Sequence, residues 1–179
     1  MRESYRVRLL KECHVFSAAH FITFQGNICE RLHGHNYGVA VEVAGPLDDN
    51  QYVVDFIALR DELRRLTDQL DHYVILPTQH PAIQVTADER EVVVRFEDRR
   101  WVFPRGDCVL LPIRQTTAEL LARYLGLELL AALQRRLGFR PTALRVEVDE
   151  NHGQWGVWEL AADDASRESA SIDDPGTPG

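Results

Sequence analysis

Three histidines near the N-terminus have a spacing that suits metal binding. His33 and His35 are separated by Gly34, and His20 ends the preceding apolar stretch. On an extended strand, side chains two residues apart project from the same face, so both imidazoles can reach one ion. Three neutral imidazoles around Zn²⁺ leave one position open, which is typical of catalytic sites. A lone His-x-His pair also occurs by chance on surface strands, so the spacing alone leaves that alternative open.

Cys29 lies four residues before His33, and three kinds of chemistry are open to it. It could be a fourth ligand that closes a structural metal site, an inert buried thiol, or a base. As a base its pKa would have to fall from about 8.5 beside a metal ion. The other cysteines are Cys13 and Cys108. Three widely spaced cysteines make a poor disulfide framework, which favours a reducing compartment, and we therefore expect the protein in the cytoplasm.

Two further positions could move protons or bind a polar ligand. Asp71 and His72 are adjacent, and a carboxylate can support a protonated imidazole for proton transfer near neutral pH. The alternative is that both are solvated at a helix end. Glu150 shares its parity with Val146 and Val148, so a strand would turn its carboxylate inward, where it needs a partner. That partner could be the donor edge of a ligand or an arginine, unless a bulge turns Glu150 outward.

The elements that carry these residues alternate between strands and helices. Apolar residues at steps of three and four predict an amphipathic helix that follows the N-cap Asp55. The capping-box sequence Thr116-Thr117-Ala118-Glu119 predicts the start of a second helix, and Gly138 is its expected C-cap. In chain order we predict strands over 5–15 and 37–43, the first helix, a hairpin over 92–103, the second helix, and strands over 144–148 and 155–160.

The sequence also contains an insertion between the two helices and an acidic tail at its end. Residues 1–160 are expected to form one domain, in which 77–112 are an insertion that contains the extra β-hairpin. Surface decoration is the default expectation for such a loop insertion. Residues 161–179 carry five acidic side chains and one arginine, and are otherwise mainly small or polar. We expect this tail to be disordered.

Composition excludes some classes of partner. The 179 residues have a net charge of −8 and a sequence pI near 5.3, so they offer no broad positive surface for nucleic acid or an anionic membrane. No apolar run approaches the roughly 18 residues that a membrane span requires. We expect neither nucleic acid nor a membrane as partner, although a local basic pocket remains compatible with this average.

The motifs occur in an order that resembles one known family, the 6-pyruvoyl-tetrahydropterin synthase and 6-carboxytetrahydropterin synthase family. The similarity covers 5–76 and 113–160. It implies an α+β tunnelling fold (T-fold), with a four-stranded antiparallel sheet, two helices on one face, and trimers or hexamers whose active sites lie between subunits. The matching motifs are Phe16-Ser17-Ala18-Ala19-His20, Cys29-x-x-x-His33-Gly34-His35-Asn36-Tyr37, Val54-Asp55-Phe56, Leu70-Asp71-His72, Thr117-x-Glu119 and Glu150.

The same resemblance implies a ligand set, a substrate and residue roles. The substrate would be 7,8-dihydroneopterin triphosphate, a small molecule, and the cofactor would be Zn²⁺. The implied roles are zinc binding by His20, His33 and His35, proton acceptance by Cys29, proton relay by Asp71 and His72, anchoring of the pterin ring at the catalytic centre by Glu150, and support of the ring by Thr117.

Two products are compatible with this family. One branch yields 6-pyruvoyl-tetrahydropterin, and the other releases acetaldehyde and forms 6-carboxytetrahydropterin for deazaguanine (queuosine) synthesis. The three residues between Cys29 and His33 resemble the carboxy-type bacterial enzymes, since the animal pyruvoyl-type enzymes usually have a longer gap. We therefore expect a lyase of the carboxy type.

The sequence also departs from the family pattern. Gln115-Thr116-Thr117 replaces an Asn-Pro-Thr type of helix start, and the insertion is longer than usual. A pterin-binding protein without catalysis is therefore an alternative. Arginines of the insertion could meet the triphosphate or be solvated; they are Arg95, Arg99, Arg100 and Arg105.

Overall fold

The computed structural model describes residues 3–10, 14–26, 28–151 and 153–161. Cys13 lies outside these ranges, as does the predicted acidic tail except for Ala161, which ends the last strand. The strands are β1 (Tyr5–Leu9), β2 (Val15–His20), β3 (Thr23–Phe24), β4 (Ile28–Cys29), β5 (His33–Gly45), β6 (Tyr73–Pro77), β7 (Gln84–Ala87), β8 (Glu91–Phe96), β9 (Arg99–Pro104), β10 (Cys108–Leu111), β11 (Ala143–Asn151) and β12 (Gln154–Ala161), and the helices are α1 (Phe56–Asp68) and α2 (Ala118–Leu137).

The main sheet has seven strands in the order β10-β6-β2-β5-β11-β12, with β1 also paired to β5. The prediction of four antiparallel strands is wrong in number and in direction, because β6 runs parallel to both β2 and β10. The single strand predicted over 5–15 is also wrong. The 13-residue β5 pairs with β2 along its first half and with β1 along its second, so one long strand serves two short ones.

The two helices pack on the sheet around one hydrophobic core. Asp55 is the N-cap of α1, as predicted, and its carboxylate accepts hydrogen bonds from two backbone amides of the first turn. Gly138 ends α2 with a φ of 62°, the left-handed conformation that glycine adopts without strain. The predicted capping box does not form: Thr117 is the N-cap without a side-chain bond, and the buried Thr116 hydroxyl donates to the Phe21 carbonyl instead.

Close packing fixes the start of α2 against the sheet. Gly156 on β12 faces the first turn of this helix, and a Cβ built there would lie 2.3 Å from the backbone at Ala118. No side chain fits at this distance. Hydrogen bonds of Thr116 to Phe21 and His20 hold the segment that precedes α2 beside the end of β2.

The insertion forms a small sheet of its own from β7, β8 and β9, whereas its last strand, β10, joins the main sheet beside β6. The predicted hairpin is present as β8 and β9, and β7 pairs with β8 as a third strand. Val92, Val94 and Phe96 on β8 are buried in a second hydrophobic cluster with Phe21, which directly follows the histidine at the end of β2. The insertion is therefore packed against the segment after β2 and is more than surface decoration. In the described part of the chain, no helix is long and apolar enough to cross a membrane.

Candidate active site

Three histidines and one glutamate converge at the end of the β2–β5 pair. The antiparallel register sets His20 opposite His33 and puts His35 on the same face. Glu150, near the end of β11, completes the group, in which the four ligand atoms lie within 4.8 Å of one another. The predicted grouping of the histidines on one face is thus present, and the inward direction expected for Glu150 is present as well.

Backbone carbonyls select the nitrogen that each of two rings presents. Nδ1 of His20 lies 2.9 Å from the Thr116 carbonyl oxygen, and Nδ1 of His33 lies 2.8 Å from that of Arg31. A carbonyl can only accept, so each Nδ1 carries the proton and donates it. The Nε2 lone pair of each ring therefore remains available.

The arrangement around His20 fits a cation. Its Nε2 is buried without a well-formed hydrogen bond among the described residues, and Oε1 of Glu150 lies only 3.1 Å away. With the ring proton on Nδ1, this contact would bring a lone pair against a carboxylate. A positive ion between His20, His35 and Glu150 removes that repulsion, and carboxylate with imidazole is a donor set that zinc accepts.

The surroundings of His35 and Glu150 shift the pKa values of these two groups. Burial lowers the pKa of His35, and the neighbouring His20 and His33 lower it further, while Glu150 opposes them. A hydrogen bond from His20 would hold the pKa of Glu150 below its ordinary value only with a proton on Nε2, and burial opposes this shift. A neutral imidazole and an ionised carboxylate are the ligand forms of these groups.

The buried ring of Tyr37 packs against two histidines of the site. The sequence did not indicate this contact. The ring centroid of Tyr37 lies 5.8 Å from that of His20 and 5.5 Å from that of His35. The hydroxyl is buried and makes no hydrogen bond among the described residues. Burial raises the pKa of Tyr37 well above its usual range, and the charges of Glu150 and Glu30 add to this, so the hydroxyl stays neutral.

Cys29 sits on the short β3–β4 hairpin that joins β2 to β5. Its thiol is partly buried and contacts the Glu30 carbonyl oxygen at 3.5 Å. Burial raises the pKa of Cys29, the nearby Arg99 guanidinium opposes this, and Glu30 adds to it. The thiol needs a further positive charge to ionise near neutral pH.

Glu30 is a second site residue that the sequence analysis did not single out. Its Oε2 lies 3.9 Å from Nε2 of His33. The signal in the sequence is its position, directly after Cys29 and three residues before His33.

Asp71 and His72 form a pair beside β2. Asp71 accepts a hydrogen bond from the Ser17 amide at 2.7 Å and lies 2.8 Å from Nδ1 of His72. That amide bond, together with His72, holds the pKa of Asp71 below its ordinary value. His72 lines a surface cavity of about 400 Å³ with Ser17 and Asn36, which alternate with the histidine ligands along β2 and β5, and His35 of the cluster borders the same cavity. Within the described chain, neither residue of the pair bonds to Cys29.

Thr117 lies beside the site because it directly follows Thr116, whose carbonyl bonds to His20. It is half-buried and has an extended backbone at the start of α2, one residue after the Thr116 carbonyl that holds His20. The described hydrogen bonds give its side chain no role in capping the helix.

Known proteins are similar to this chain in sequence and in fold. The family model for 6-pyruvoyl tetrahydropterin synthase matches residues 9–160. A Methanocaldococcus jannaschii relative named "Putative 6-carboxy-5,6,7,8-tetrahydropterin synthase" is 35% identical over 141 residues, which are 78% of this chain and 85% of the relative.

Solved structures of 6-pyruvoyl tetrahydropterin synthases have a similar fold. The 6-pyruvoyl tetrahydropterin synthase of Plasmodium falciparum superposes with a TM-score of 0.82 at 28% identity, over 89% of this chain and 99% of that one. The Plasmodium vivax enzyme, solved with a catalytic glutamate changed to alanine, has a TM-score of 0.81 at the same identity and coverage. The chain therefore belongs to the 6-pyruvoyl tetrahydropterin synthase family.

Proposed function

We propose that the protein is a zinc-dependent enzyme that converts 7,8-dihydroneopterin triphosphate to 6-carboxytetrahydropterin, with release of acetaldehyde and triphosphate, for deazaguanine (queuosine) synthesis. The observation that carries this proposal is the convergence of His20, His33, His35 and Glu150 in a chain of the pterin synthase family. A carboxy-type name for the relative from M. jannaschii and the three-residue gap after Cys29 favour this product.

The three histidines would hold the metal. Their Nε2 atoms face one another, and the carbonyls at Thr116 and Arg31 keep two of the rings in the required tautomer. Zinc bound there would supply a positive charge that polarises the substrate's side-chain hydroxyls and favours a thiolate nearby.

Cys29 and Glu150 would act on two parts of the substrate. The thiolate of Cys29 accepts a proton from the side-chain carbon of the pterin. Glu150 accepts two parallel hydrogen bonds from the aminopyrimidinone edge, because an ionised carboxylate can receive both donors at once. Thr117 would add a contact to the ring.

Asp71 and His72 would return protons in the site of a neighbouring copy. Their position supports this division, since they lie in a different part of the chain from Cys29. The protein would accordingly be a homo-oligomer, a trimer or a hexamer, with each active site between subunits.

A product assay tests the proposal. The zinc-loaded protein is incubated with 7,8-dihydroneopterin triphosphate, and the products are resolved by mass. Acetaldehyde and 6-carboxytetrahydropterin are expected. Release of triphosphate with 6-pyruvoyl-tetrahydropterin would select the pyruvoyl alternative, which the names of the Plasmodium neighbours favour. Tight pterin binding without turnover would indicate a non-catalytic pterin-binding protein.

A further inference from the structure

The inserted sheet of β7, β8 and β9 contacts the backbone of Cys29 through Arg99. Nη1 of Arg99, the first residue of β9, donates a hydrogen bond to the Cys29 carbonyl oxygen at 2.6 Å. The two residues are 70 positions apart in the chain. A hydrogen bond from a charged donor is stronger than one between neutral groups.

The guanidinium of Arg99 is itself held in place. It lies 4.5 Å from the centroid of the Trp101 ring, in the range of a cation–π contact. Trp101 in turn stacks on Phe21, with centroids 4.7 Å apart and planes inclined by 19°. Phe21 directly follows His20, so a continuous series of contacts connects a histidine of the cluster to the Cys29 backbone through the insertion.

The opposite strand of the β3–β4 hairpin is tied to the insertion as well. Thr23 is the register partner of Cys29, and its hydroxyl lies 2.8 Å from Nε2 of His80. Nδ1 of His80 accepts two backbone amide hydrogens, so the ring proton is on Nε2 and is donated to Thr23. The side-chain amide of Gln115 makes two hydrogen bonds to the Thr23 backbone: it donates to the carbonyl and accepts from the amide.

These ties matter because the hairpin has little stability of its own. Its two strands have two residues each, and a two-stranded hairpin is at best marginally stable in water. Without outside support, the Cys29 thiol would sample many directions. A proton acceptor displaced by about 1 Å can lose roughly 100-fold in rate.

We propose that Arg99 is a positioning residue, which fixes the main chain at Cys29 and thereby aims its thiol at the substrate. This inference rests on the proposed role of Cys29 as proton acceptor. It gives the insertion a function in the site, because Arg99, Trp101 and His80 all belong to residues 77–112. The charge of Arg99 also favours the thiolate of Cys29, in line with the same role.

The test compares Arg99→Ala and Arg99→Lys with Arg100→Ala as matched control. Arg100 is the next residue, is exposed, and loses the same charge. For each variant, kcat, KM, zinc content, Tm and the rate of Cys29 alkylation by iodoacetamide, mapped by peptide, are measured. We expect Arg99→Ala to lower kcat roughly 10- to 100-fold with little change in KM, zinc content or Tm relative to the control. Arg99→Lys should recover part of kcat, since an ammonium can still donate to the carbonyl.

Other outcomes would overturn the inference. Equal kcat in Arg99→Ala and Arg100→Ala would do so, as would a loss of kcat that only accompanies lost zinc or a lowered Tm. The alkylation measurement separates this inference from the proposed function, because it needs no turnover. If the wild type is inactive, the proposed function fails, while a several-fold change in Cys29 alkylation specific to Arg99→Ala still supports positioning. An unchanged alkylation rate in that case overturns it.

Discussion

At the scale of single residues, the carboxylate of Glu150 can bind either of two partners. These are a metal ion beside His20 and the hydrogen-bond donor edge of a pterin. The carboxylate is 3.1 Å from one imidazole nitrogen and 3.5 Å from another, so its position alone suits both. The family resemblance assigns the pterin, and the three histidines suffice for a catalytic zinc.

Glu150→Gln separates these roles. The amide keeps the size of the side chain but offers one acceptor and no charge, so the two charge-assisted bonds to the pterin are lost. We expect zinc content to stay at the wild-type level and KM to rise roughly 30-fold, the equivalent of about 2 kcal/mol. His35→Ala serves as the control that loses metal. If Glu150→Gln loses as much zinc as His35→Ala does, Glu150 is a metal ligand instead.

The sequence could predict residues whose placement follows from local periodicity. His33 and His35 share a face because strand side chains alternate. Glu150 points inward as its parity predicts, although the β11–β12 register shifts between Asp149 and Asn151. Arg99 and Thr116 could not be predicted in this way. Each acts through a contact across 70 or more positions of the chain, which only the packing of the insertion and of α2 creates.

At the scale of elements, a buried carboxylate links the two helices. Glu62 on α1 is buried and pairs with Arg65 on the same helix and with Arg136 on α2. Burial alone would raise the pKa of Glu62, but the hydrogen bonds and charges of Arg136 and Arg65 outweigh it and hold the pKa below its ordinary value.

This shift predicts a pH-dependent stability. A carboxylate with a lowered pKa stabilises the fold fully above its unfolded pKa, about 4.3, and the contribution is lost as pH falls through the folded value. Glu62→Gln should lower the free energy of unfolding by about 1 kcal/mol at pH 7, since both arginines are partly exposed and screened. The difference from wild type should vanish in acid, as measured by urea unfolding between pH 3 and pH 7. Asp61→Asn, whose partner Arg60 is exposed, is the control and should change little. A difference that persists unchanged at pH 3 would contradict the ionic account.

Element types were predictable where the hydrophobic period is clear, and strand pairing was not. The core faces of α1 and β11 follow their apolar spacing. The parallel strands β6 and β10 add to the sheet through register partners far along the chain, which periodicity does not encode. The division of residues 5–15 into two strands likewise depends on the length of β5.

At the scale of the whole molecule, the proposed proton acceptor Cys29 and the proposed relay pair of Asp71 and His72 lie in different parts of one chain. Cys29 lies on the β3–β4 hairpin between the two strands that carry the histidines, whereas His72, paired with Asp71, lines the cavity with Ser17 and Asn36. An assembly in which one copy's His72 meets its neighbour's Cys29 would bring these residues together. The net charge of −8 does not oppose an anionic substrate there, because half of it belongs to residues 161–179.

Complementation between variants tests this assembly. Cys29→Ala and His72→Ala chains carrying different tags are co-expressed, and mixed oligomers are purified through both tags. Roughly a quarter of the sites then draw both intact residues from different chains, so activity should return to about that fraction of wild type. Two differently tagged Cys29→Ala chains are the control and should remain inactive. Mixed oligomers without recovery would place both residues of a site in one chain.

The zinc content of Cys29→Ala, measured beside the wild type and with turnover recorded on the same samples, tests the central claim most directly. If three histidines hold a catalytic zinc while the thiol moves protons, the variant should keep about one zinc per chain and lose turnover. Loss of zinc from Cys29→Ala would contradict the account, because it would make Cys29 the fourth ligand of a closed structural site.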